Sequence, residues 1–356
     1  MINVLIVEDS AVIREFLVHI LSSDPDISVV ATARDGEEAV SMVRQRRPDV
    51  ITMDIHMPKM NGLEATRRIM ETNPTPIVIV SGSRDPGEVG ITFDAMNAGA
   101  LAILPRPVGI GHTDYELTAR HMVQTVKLMS EVKVVRRWSQ IRNAASSRAP
   151  AHVAQARGSA QINIVAIGAS TGGPSAIQVI LAALPRNFTA PILIVQHISS
   201  GFVGGLVEWL SKSSGLPVHA AAHGELPLNG HVYIAPDGFH MKIEHRGKII
   251  LTKDPPEHGL RPSVSCLFRS IGEVYGGDAI GGLLTGMGRD GADELRLLRE
   301  KGAITFAQDK DSSIVHGMPG EAIRLDAAVL VLPLEKIASA LVNMVGSHDI
   351  RETGRT

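Results

Sequence analysis

The chain contains few of the residues that mark several large classes of protein. Of its 356 residues only Cys266 is a cysteine, so no disulfide can form within the chain, and we expect a reducing, cytoplasmic location. Aromatic residues make up 3% and the formal net charge is −2, which argues against a nucleic-acid partner. No apolar run approaches the length of a membrane span, and the N-terminal residues predict a strand, so neither membrane insertion nor a signal peptide is expected.

What the sequence does contain is a turn typical of nucleophilic serines. An apolar, β-branched run at 162–167 predicts a buried strand, and apolar residues from Ala176 to Leu184 return with helical spacing. Between them, Gly168 to Gly172 match Gly-x-Ser-x-Gly, which would place Ser170 on a sharp strand-to-helix turn. The N–H groups at the start of that helix could stabilise an oxyanion, although such a turn could equally bind a phosphate.

Two further strand ends could supply partners for Ser170. The apolar run 191–196 is followed by His197, and the run 279–284 is followed by a glycine-rich turn that carries Asp290. Ligands of parallel α/β sheets bind beyond the carboxyl ends of the strands, so these residues are candidates for a nucleophile, a base and an orienting acid. Taken singly, His197 and Asp290 would more simply be a strand-end histidine and a helix N-cap. The three together favour catalysis.

Three alternatives compete with this interpretation. The α/β-hydrolases carry their triad in the order Ser, acid, His, and Ser170, Asp290 and His316 also satisfy that order. A second half that only binds a partner would make the chain a non-enzymatic regulator, although nothing indicates a DNA-binding output. His219 and His223 are four residues apart, but the residues between them are alanines and the segment predicts a strand, which argues against zinc.

Strand-like and helix-like segments alternate along most of the chain. In the first third they predict a parallel sheet with helices on both faces, with strands at 3–7, 28–33, 50–53, 77–80 and 100–104 and helices near 11–22, 36–46, 62–72, 87–98 and 116–137. Residues 139–160 have the composition of a linker, and the basic run around them is expected to be a solvated tether. A second α/β alternation extends from 162 to about 346 and is followed by a polar tail.

Acidic residues close two strands of the first third. Glu8 and Asp9 follow the first strand and Asp54 follows the third, and these strands are neighbours in a doubly wound sheet. Three carboxylates at one edge need a cation, for which Mg²⁺ is the natural choice. Ser81 and Arg106 close the fourth and fifth strands at the same edge, so the set could accept a phosphoryl group on a carboxylate.

Both halves resemble known families. Residues 1–125 resemble a response-regulator receiver domain in the runs Ile6-Val7-Glu8-Asp9-Ser10, Met53-Asp54-Ile55-His56-Met57-Pro58, Asn61-Gly62, Val80-Ser81-Gly82 and Arg106-Pro107. Residues 162–345 are similar to the chemotaxis protein-glutamate methylesterase domain in the runs Ile167-Gly168-Ala169-Ser170-Thr171-Gly172-Gly173, Gln196-His197, Tyr233-Ile234-Ala235-Pro236, Arg261-Pro262-Ser263-Val264, Leu284-Thr285-Gly286-Met287-Gly288-Arg289-Asp290-Gly291 and His316-Gly317-Met318-Pro319. A receiver followed by an esterase is the arrangement of the CheB family.

This resemblance implies a fold and a set of domain bounds. The fold would be two doubly wound parallel-sheet α/β domains, a flavodoxin-like receiver and then a Rossmann-like methylesterase domain. The receiver would cover residues 1–125, a helical and basic flexible linker 126–160, the methylesterase domain 161–346 and the polar tail 347–356.

The resemblance also implies the roles of the candidate residues. Asp54 would be the phosphoryl acceptor, Ser81 and Arg106 the receiver switch, and Mg²⁺ would be held by Glu8, Asp9, Asp54 and the backbone carbonyl of His56. In the esterase half the implied triad is Ser170, His197 and Asp290, with the backbone N–H of Met287 and the turn at Thr171 as oxyanion donors and no cofactor.

The implied activity is a phosphorylation-activated serine hydrolase that removes methyl groups from glutamate methyl esters of chemoreceptors and deamidates glutamine. Its partners would be methyl-accepting chemotaxis receptors and a chemotaxis histidine kinase, and the chain is expected to be a monomer. The chain departs from the usual pattern in three places: Arg106 stands where receivers have lysine, Ile103 where relatives often carry an aromatic residue, and the pair Ser265-Cys266 where an aspartate and an aliphatic residue are usual.

Overall fold

The chain divides into two compact units, Met1–Gln155 and Ala156–Thr356. The structure, a computed structural model, describes residues 1–82, 86–132, 134 and 162–346. Within these ranges, residues 86–89 and 91 are described by their backbone alone. The segments predicted as a linker, 139–160, and as a polar tail, 347–356, lie outside the described residues. Among the residues that are described, no helix is both long enough and apolar enough to span a bilayer.

The first unit is a parallel sheet with alternating helices. Its elements are β1 (Ile2–Val7), α1 (Ala11–Ser22), β2 (Ile27–Ala33), α2 (Gly36–Arg46), β3 (Val50–Met53), α3 (Gly62–Thr72), β4 (Ile77–Ser81), α4 (Pro86–Asn97), β5 (Ala102–Pro105) and α5 (Tyr115–Ser130). The strands lie in the order β2-β1-β3-β4-β5 and all neighbours are parallel. The predicted fold class of this half is therefore confirmed, and β1 and β3 are neighbours as expected.

In the first unit most predicted boundaries agree with the observed ones, but the helix α5 was predicted too long. It ends at Ser130 rather than near 137, because the N–H groups of Glu131 and Val132 donate to the carbonyls of Leu128 and Met129. These tighter bonds, made three residues back instead of four, close the helix. Met129 is also the last buried residue of α5.

A glycine allows α3 to start directly against the end of β3. The Gly62 N–H donates to the carbonyl oxygen of Ile55 at 2.9 Å. A Cβ atom at position 62 would lie 2.0 Å from the carbonyl oxygen of Asp54, a backbone atom that has little room to move. The close approach fixes the loop that follows Asp54.

We expect Gly62→Ala to lower the free energy of unfolding of the first unit by about 3 kcal/mol, since the methyl group overlaps backbone. Chemical denaturation of the full chain, followed by circular dichroism, measures the change. Gly109→Ala is the matched control, because nothing lies within 4 Å of its added Cβ. Equal midpoints for the two variants would contradict the close approach.

The second unit contains a larger parallel sheet. Its strands are β6 (Ile164–Ala169), β7 (Ile192–Gln196), β8 (Val218–Ala220), β9 (Val232–Ile234), β12 (Ala279–Leu283), β13 (Ile304–Gln308) and β14 (Leu330–Leu332), and two more strands, β10 (His240–Ile243) and β11 (Ile249–Thr252), form a separate antiparallel pair. Its helices are α6 (Gly173–Ala183), α7 (Val203–Ser213), α8 (Val264–Val274), α9 (Ala292–Glu300), α10 (Met318–Arg324) and α11 (Leu334–Val345), with a short 3₁₀ turn at Gly276–Asp278.

The order of these strands decides which loops meet. The large sheet runs β14-β13-β12-β6-β7-β9-β8 with every neighbouring pair parallel. Gly168 of β6 pairs with Leu283 of β12 on one side and with Val195 of β7 on the other. The three loops that follow β6, β7 and β12 therefore leave the sheet side by side at one edge. The antiparallel pair β10–β11 was not anticipated by the predicted α/β alternation.

Candidate active site

Ser170 lies on the tight turn between β6 and α6. Its N–H donates to the carbonyl oxygen of Thr285 at 3.0 Å, and its own carbonyl oxygen accepts from the Gly173 N–H at 2.8 Å. Gly172 has a φ of 78°, a left-handed conformation that glycine adopts without strain. Pro174 stands in the first turn of α6, where its missing N–H costs nothing. The predicted strand, sharp turn and helix are all present.

His197 and Asp290 are joined directly. The Nε2 atom of His197 lies 2.9 Å from Oδ2 of Asp290, and the side chains are only 9% and 2% exposed. The backbone N–H of His197 donates to the carbonyl oxygen of Ala169 at 2.9 Å, which anchors the histidine beside the serine turn. A buried carboxylate on one ring nitrogen leaves Nδ1 as the nitrogen that can accept a proton from another group.

Asp290 is held at the N-terminus of α8. Its Oδ1 accepts from the Ser263 hydroxyl at 2.8 Å and the Ser265 N–H at 3.1 Å, and its Oδ2 accepts from the Val264 N–H at 2.7 Å. Burial alone would raise the pKa of Asp290, but the contact with His197 and these donors hold that pKa well below its ordinary value. The carboxylate is therefore ionised where it faces His197.

These partners of Asp290 were missed in the sequence. Ser263 is the N-cap residue of α8, and a serine just after a proline and before an apolar helix is the signal that could have indicated a helix start there. The simpler interpretation of Asp290 as the N-cap of the helix from Ala292 was wrong, because Gly291 is the N-cap of α9 and makes no side-chain cap. The Asp290 carboxylate instead accepts hydrogen bonds from N–H groups at the start of α8.

The alternative base, His316, has different neighbours. Its Nδ1 lies 3.4 Å from the hydroxyl of Ser313, and burial lowers its pKa. Across the described residues, Asp290 makes no hydrogen bond to His316, so the structure brings Asp290 to His197 rather than to His316.

The two histidines considered for zinc, His219 and His223, have separate partners. His219 Nε2 lies 2.9 Å from Nδ1 of His231, whereas His223 Nδ1 lies 3.3 Å from the backbone oxygen of Leu251.

The backbone N–H groups of Thr171 and Met287 have no acceptor among the described residues. The Met287 loop approaches closely, because a Cβ at the preceding Gly286 would lie 2.7 Å from the Cβ of Ser170. The Met287 side chain is 46% exposed, so the loop faces solvent at this point. Both N–H groups are available to an anion formed at Ser170. No hydrogen bond between the Ser170 hydroxyl and His197 occurs within 162–346.

A second candidate site lies in the first unit, at the carboxyl ends of β1 and β3. One carboxylate oxygen from each of Glu8, Asp9 and Asp54 lies within 4.8 Å of the others. Arg106 Nη2 lies 2.9 Å from Oε2 of Glu8 and 3.6 Å from Oδ1 of Asp54. Burial and the Asp54 charge raise the pKa of Glu8 to about 7, and burial also raises the pKa of Asp54 although Arg106 opposes it. The predicted convergence of carboxylates is thus present.

The carboxylates open into a cavity of about 380 Å³, and Glu8, Asp9, Ser10, Ile13, Asp54, His56, Gly82 and Arg106 line it. Three carboxylates converge here beside the single guanidinium of Arg106, so acidic groups outnumber the basic group that contacts them. A hard divalent cation that takes carboxylate oxygens fits this donor set. Ser81 is buried at the end of β4, and its carbonyl oxygen accepts from the Arg106 N–H at 2.8 Å, so Ser81 and Arg106 are adjacent.

Comparisons with known proteins match a known family to each of the two units. A family model described as CheB methylesterase matches residues 165–341, and one described as response regulator receiver domain matches residues 4–114. A protein-glutamate methylesterase/protein-glutamine glutaminase of Nitrosospira multiformis is 67% identical over 99% of this chain and 100% of its own length, and one of Geobacter metallireducens is 55% identical over 97% and 99%. The crystal structure of the Thermotoga maritima CheB methylesterase catalytic domain, 39% identical, covers 51% of this chain and 98% of its own with a TM-score of 0.50.

Proposed function

Because this chain belongs to the CheB methylesterase family, we propose that Ser170, His197 and Asp290 are its catalytic nucleophile, base and orienting acid. The chain is a protein-glutamate methylesterase and protein-glutamine glutaminase with a response-regulator receiver domain. The observation that carries the assignment is the 2.9 Å hydrogen bond between His197 and the ionised Asp290, at the sheet edge that also presents Ser170. Methanol release from methylated receptor membranes, measured with and without acetyl phosphate and Mg²⁺, tests the activity directly.

The first half of the reaction forms an acyl-enzyme. The Ser170 hydroxyl attacks the carbonyl carbon of the glutamate γ-methyl ester, and its proton passes to Nδ1 of His197, since Nε2–H donates to Asp290. The tetrahedral oxyanion accepts hydrogen bonds from the N–H groups of Thr171 and Met287. Collapse of the intermediate breaks the bond to the methoxy oxygen, which takes the proton from His197 and leaves as methanol.

The second half returns the enzyme to its starting state. A water molecule gives a proton to His197 and attacks the acyl carbon, and Ser170 then leaves with that proton, which frees a glutamate carboxyl group. With glutamine as substrate the same steps release ammonia in place of methanol. Asp290 stays ionised throughout, because the N-terminus of α8 stabilises its negative charge.

In the receiver we propose that Asp54 accepts the phosphoryl group. Glu8, Asp9, Asp54 and the backbone carbonyl of His56 would hold Mg²⁺, which supplies positive charge for the transferring phosphoryl oxygens. Arg106 already lies 3.6 Å from Asp54 and would pair with a phosphoryl group there, and Ser81 would bond to it beside Arg106. A guanidinium is planar and can donate two parallel hydrogen bonds to a phosphate, whereas the lysine that is usual in receivers acts as a point charge.

We expect Asp54→Asn to prevent phosphorylation, since the amide keeps the shape of the side chain but is not a nucleophile. Intact-protein mass spectrometry after incubation with acetyl phosphate and Mg²⁺ should show added phosphate on the natural chain and none on the variant. Asp94→Asn, an exposed change on α4, is the control and should be phosphorylated normally. Phosphate on the Asp54→Asn chain would place the acceptor elsewhere.

The wider assignments extend this proposal. Methyl-accepting chemotaxis receptors would be the substrate and a chemotaxis histidine kinase the phosphodonor, so that phosphorylation raises the esterase rate. We propose that the enzyme works as a cytoplasmic monomer without an esterase cofactor, and that the bounds are 1–125 for the receiver, 126–160 for the linker, 161–346 for the methylesterase domain and 347–356 for the tail. The lone buried Cys266 supports the reducing location.

A further inference from the structure

One buried amide contacts both the serine turn and the histidine residue. Gln196 is the last residue of β7, next to His197, and is 2% exposed. Its Nε2 donates to the carbonyl oxygen of Ser170 at 2.8 Å and to the carbonyl oxygen of His197 at 2.7 Å. The two protons of a single NH₂ group thus connect the backbones of two residues that directly follow different strands, β6 and β7.

The bond to Ser170 also orients a neighbouring donor. The Ser170 carbonyl and the Thr171 N–H belong to one planar peptide, so a donor that fixes the carbonyl fixes the direction of the N–H. The Gly173 N–H donates to the same carbonyl, and from the other side the Thr285 hydroxyl donates to the Thr171 carbonyl at 2.9 Å. Gln196 therefore holds the peptide that carries the Thr171 N–H, the group proposed above as an oxyanion donor.

The same amide carries a cost to stability. The Oε1 atom of Gln196 is buried and has no hydrogen-bond partner among the described residues. Rotating the amide would not help, because Oε1 would then face two carbonyl oxygens. The start of α6 accommodates the amide only because residue 173 is glycine: a Cβ there would lie 2.0 Å from Oε1. An apolar side chain of the same size would avoid the unpaired acceptor.

We propose that Gln196 is a positioning residue for the methylesterase reaction, which orients the Thr171 N–H and the His197 backbone without touching the substrate. This inference rests on the roles proposed for Ser170, His197 and Thr171. A donor that only stabilised the fold would not explain an amide that leaves its own oxygen unsatisfied next to the nucleophile.

The test is Gln196→Met, which keeps the side-chain volume and removes both donors. In the full chain, activated identically with acetyl phosphate and Mg²⁺, we expect kcat to fall by about tenfold to a hundredfold because small displacements of catalytic groups are costly, with KM unchanged. The melting temperature should change little, because removal of the unpaired Oε1 offsets the two hydrogen bonds that are lost. The rate at which diisopropyl fluorophosphate modifies Ser170 should fall in parallel, and its endpoint counts folded active sites.

Ser270→Ala is the matched control, since it removes a buried hydroxyl that bonds the backbones of Ile243 and Leu267 in the same unit. It should lower the melting temperature and leave kcat per active site unchanged. A normal kcat for Gln196→Met, or a loss of rate that the smaller number of titrated sites explains fully, would overturn the inference. The role of Ser170 is tested separately: if Ser170→Ala is inactive, that role stands whatever the result for Gln196→Met. If Gln196→Met does not fold, Gly173→Ala displaces the amide from the other side, and a normal kcat there would overturn the inference equally.

Discussion

Ser170→Ala is expected to lower kcat for methanol release by about five to six orders of magnitude, as loss of a serine nucleophile does when the serine and its base act as a unit. The residual rate would come from water attacking a substrate that the remaining N–H groups still polarise. Removing one hydroxyl creates little space and leaves the backbone bond from Ser170 to Thr285 intact. The melting temperature should therefore be close to that of the natural chain.

Methanol release and ammonia release should fall together in Ser170→Ala, because one nucleophile serves both the ester and the amide. Ser211→Ala is the control: this serine lies on α7, where its hydroxyl bonds the backbone of Val218, and its loss should leave kcat unchanged. A Ser170→Ala protein that kept its methylesterase rate would remove Ser170 from the mechanism. Separate loss of only one activity would point to two sites.

His197→Ala should reduce kcat by about four to six orders of magnitude, since without the base the serine hydroxyl cannot lose its proton and the leaving group gains none. The buried Asp290 carboxylate also loses one of its hydrogen-bond donors, so we expect the melting temperature to drop as well. His316→Ala is the matched comparison in the same unit. Its ring contacts Ser313 rather than Asp290, and kcat should change by less than about tenfold.

The pair of histidine variants separates two triads. Steady-state rates of methanol release at saturating substrate, corrected for the fraction of folded protein, measure both. Severe loss in His316→Ala with near-normal His197→Ala would assign the reaction to Ser170, Asp290 and His316, the order found in α/β-hydrolases. The same reversal would make the hydrogen bond between His197 and Asp290 structural rather than catalytic.

Much of this architecture follows from local patterns in the sequence. Short apolar runs that alternate with helical spacing predict parallel α/β sheets, and parallel strands bring their carboxyl ends to one edge. That geometry was sufficient to place Glu8 and Asp9 beside Asp54, and to bring Ser170 to the same edge as His197. The end of α5 was less well predicted, because the hydrogen bonds that close the helix belong to the folded backbone and leave no periodic signal in the sequence.

By itself the sequence determined the fold class, the two units and the chemical types of residue at each edge, since strand and helix periodicity and glycine turns are local properties. Only the tertiary structure decided which groups touch. Asp290 could have capped α9, and it instead accepts hydrogen bonds from the start of α8, twenty-five or more residues earlier in the chain. The contact of Asp290 with His197 rather than His316 and the double hydrogen bond of Gln196 are decided in the same way. Such contacts join residues far apart in the chain, so they depend on strand order and register, which no local pattern records.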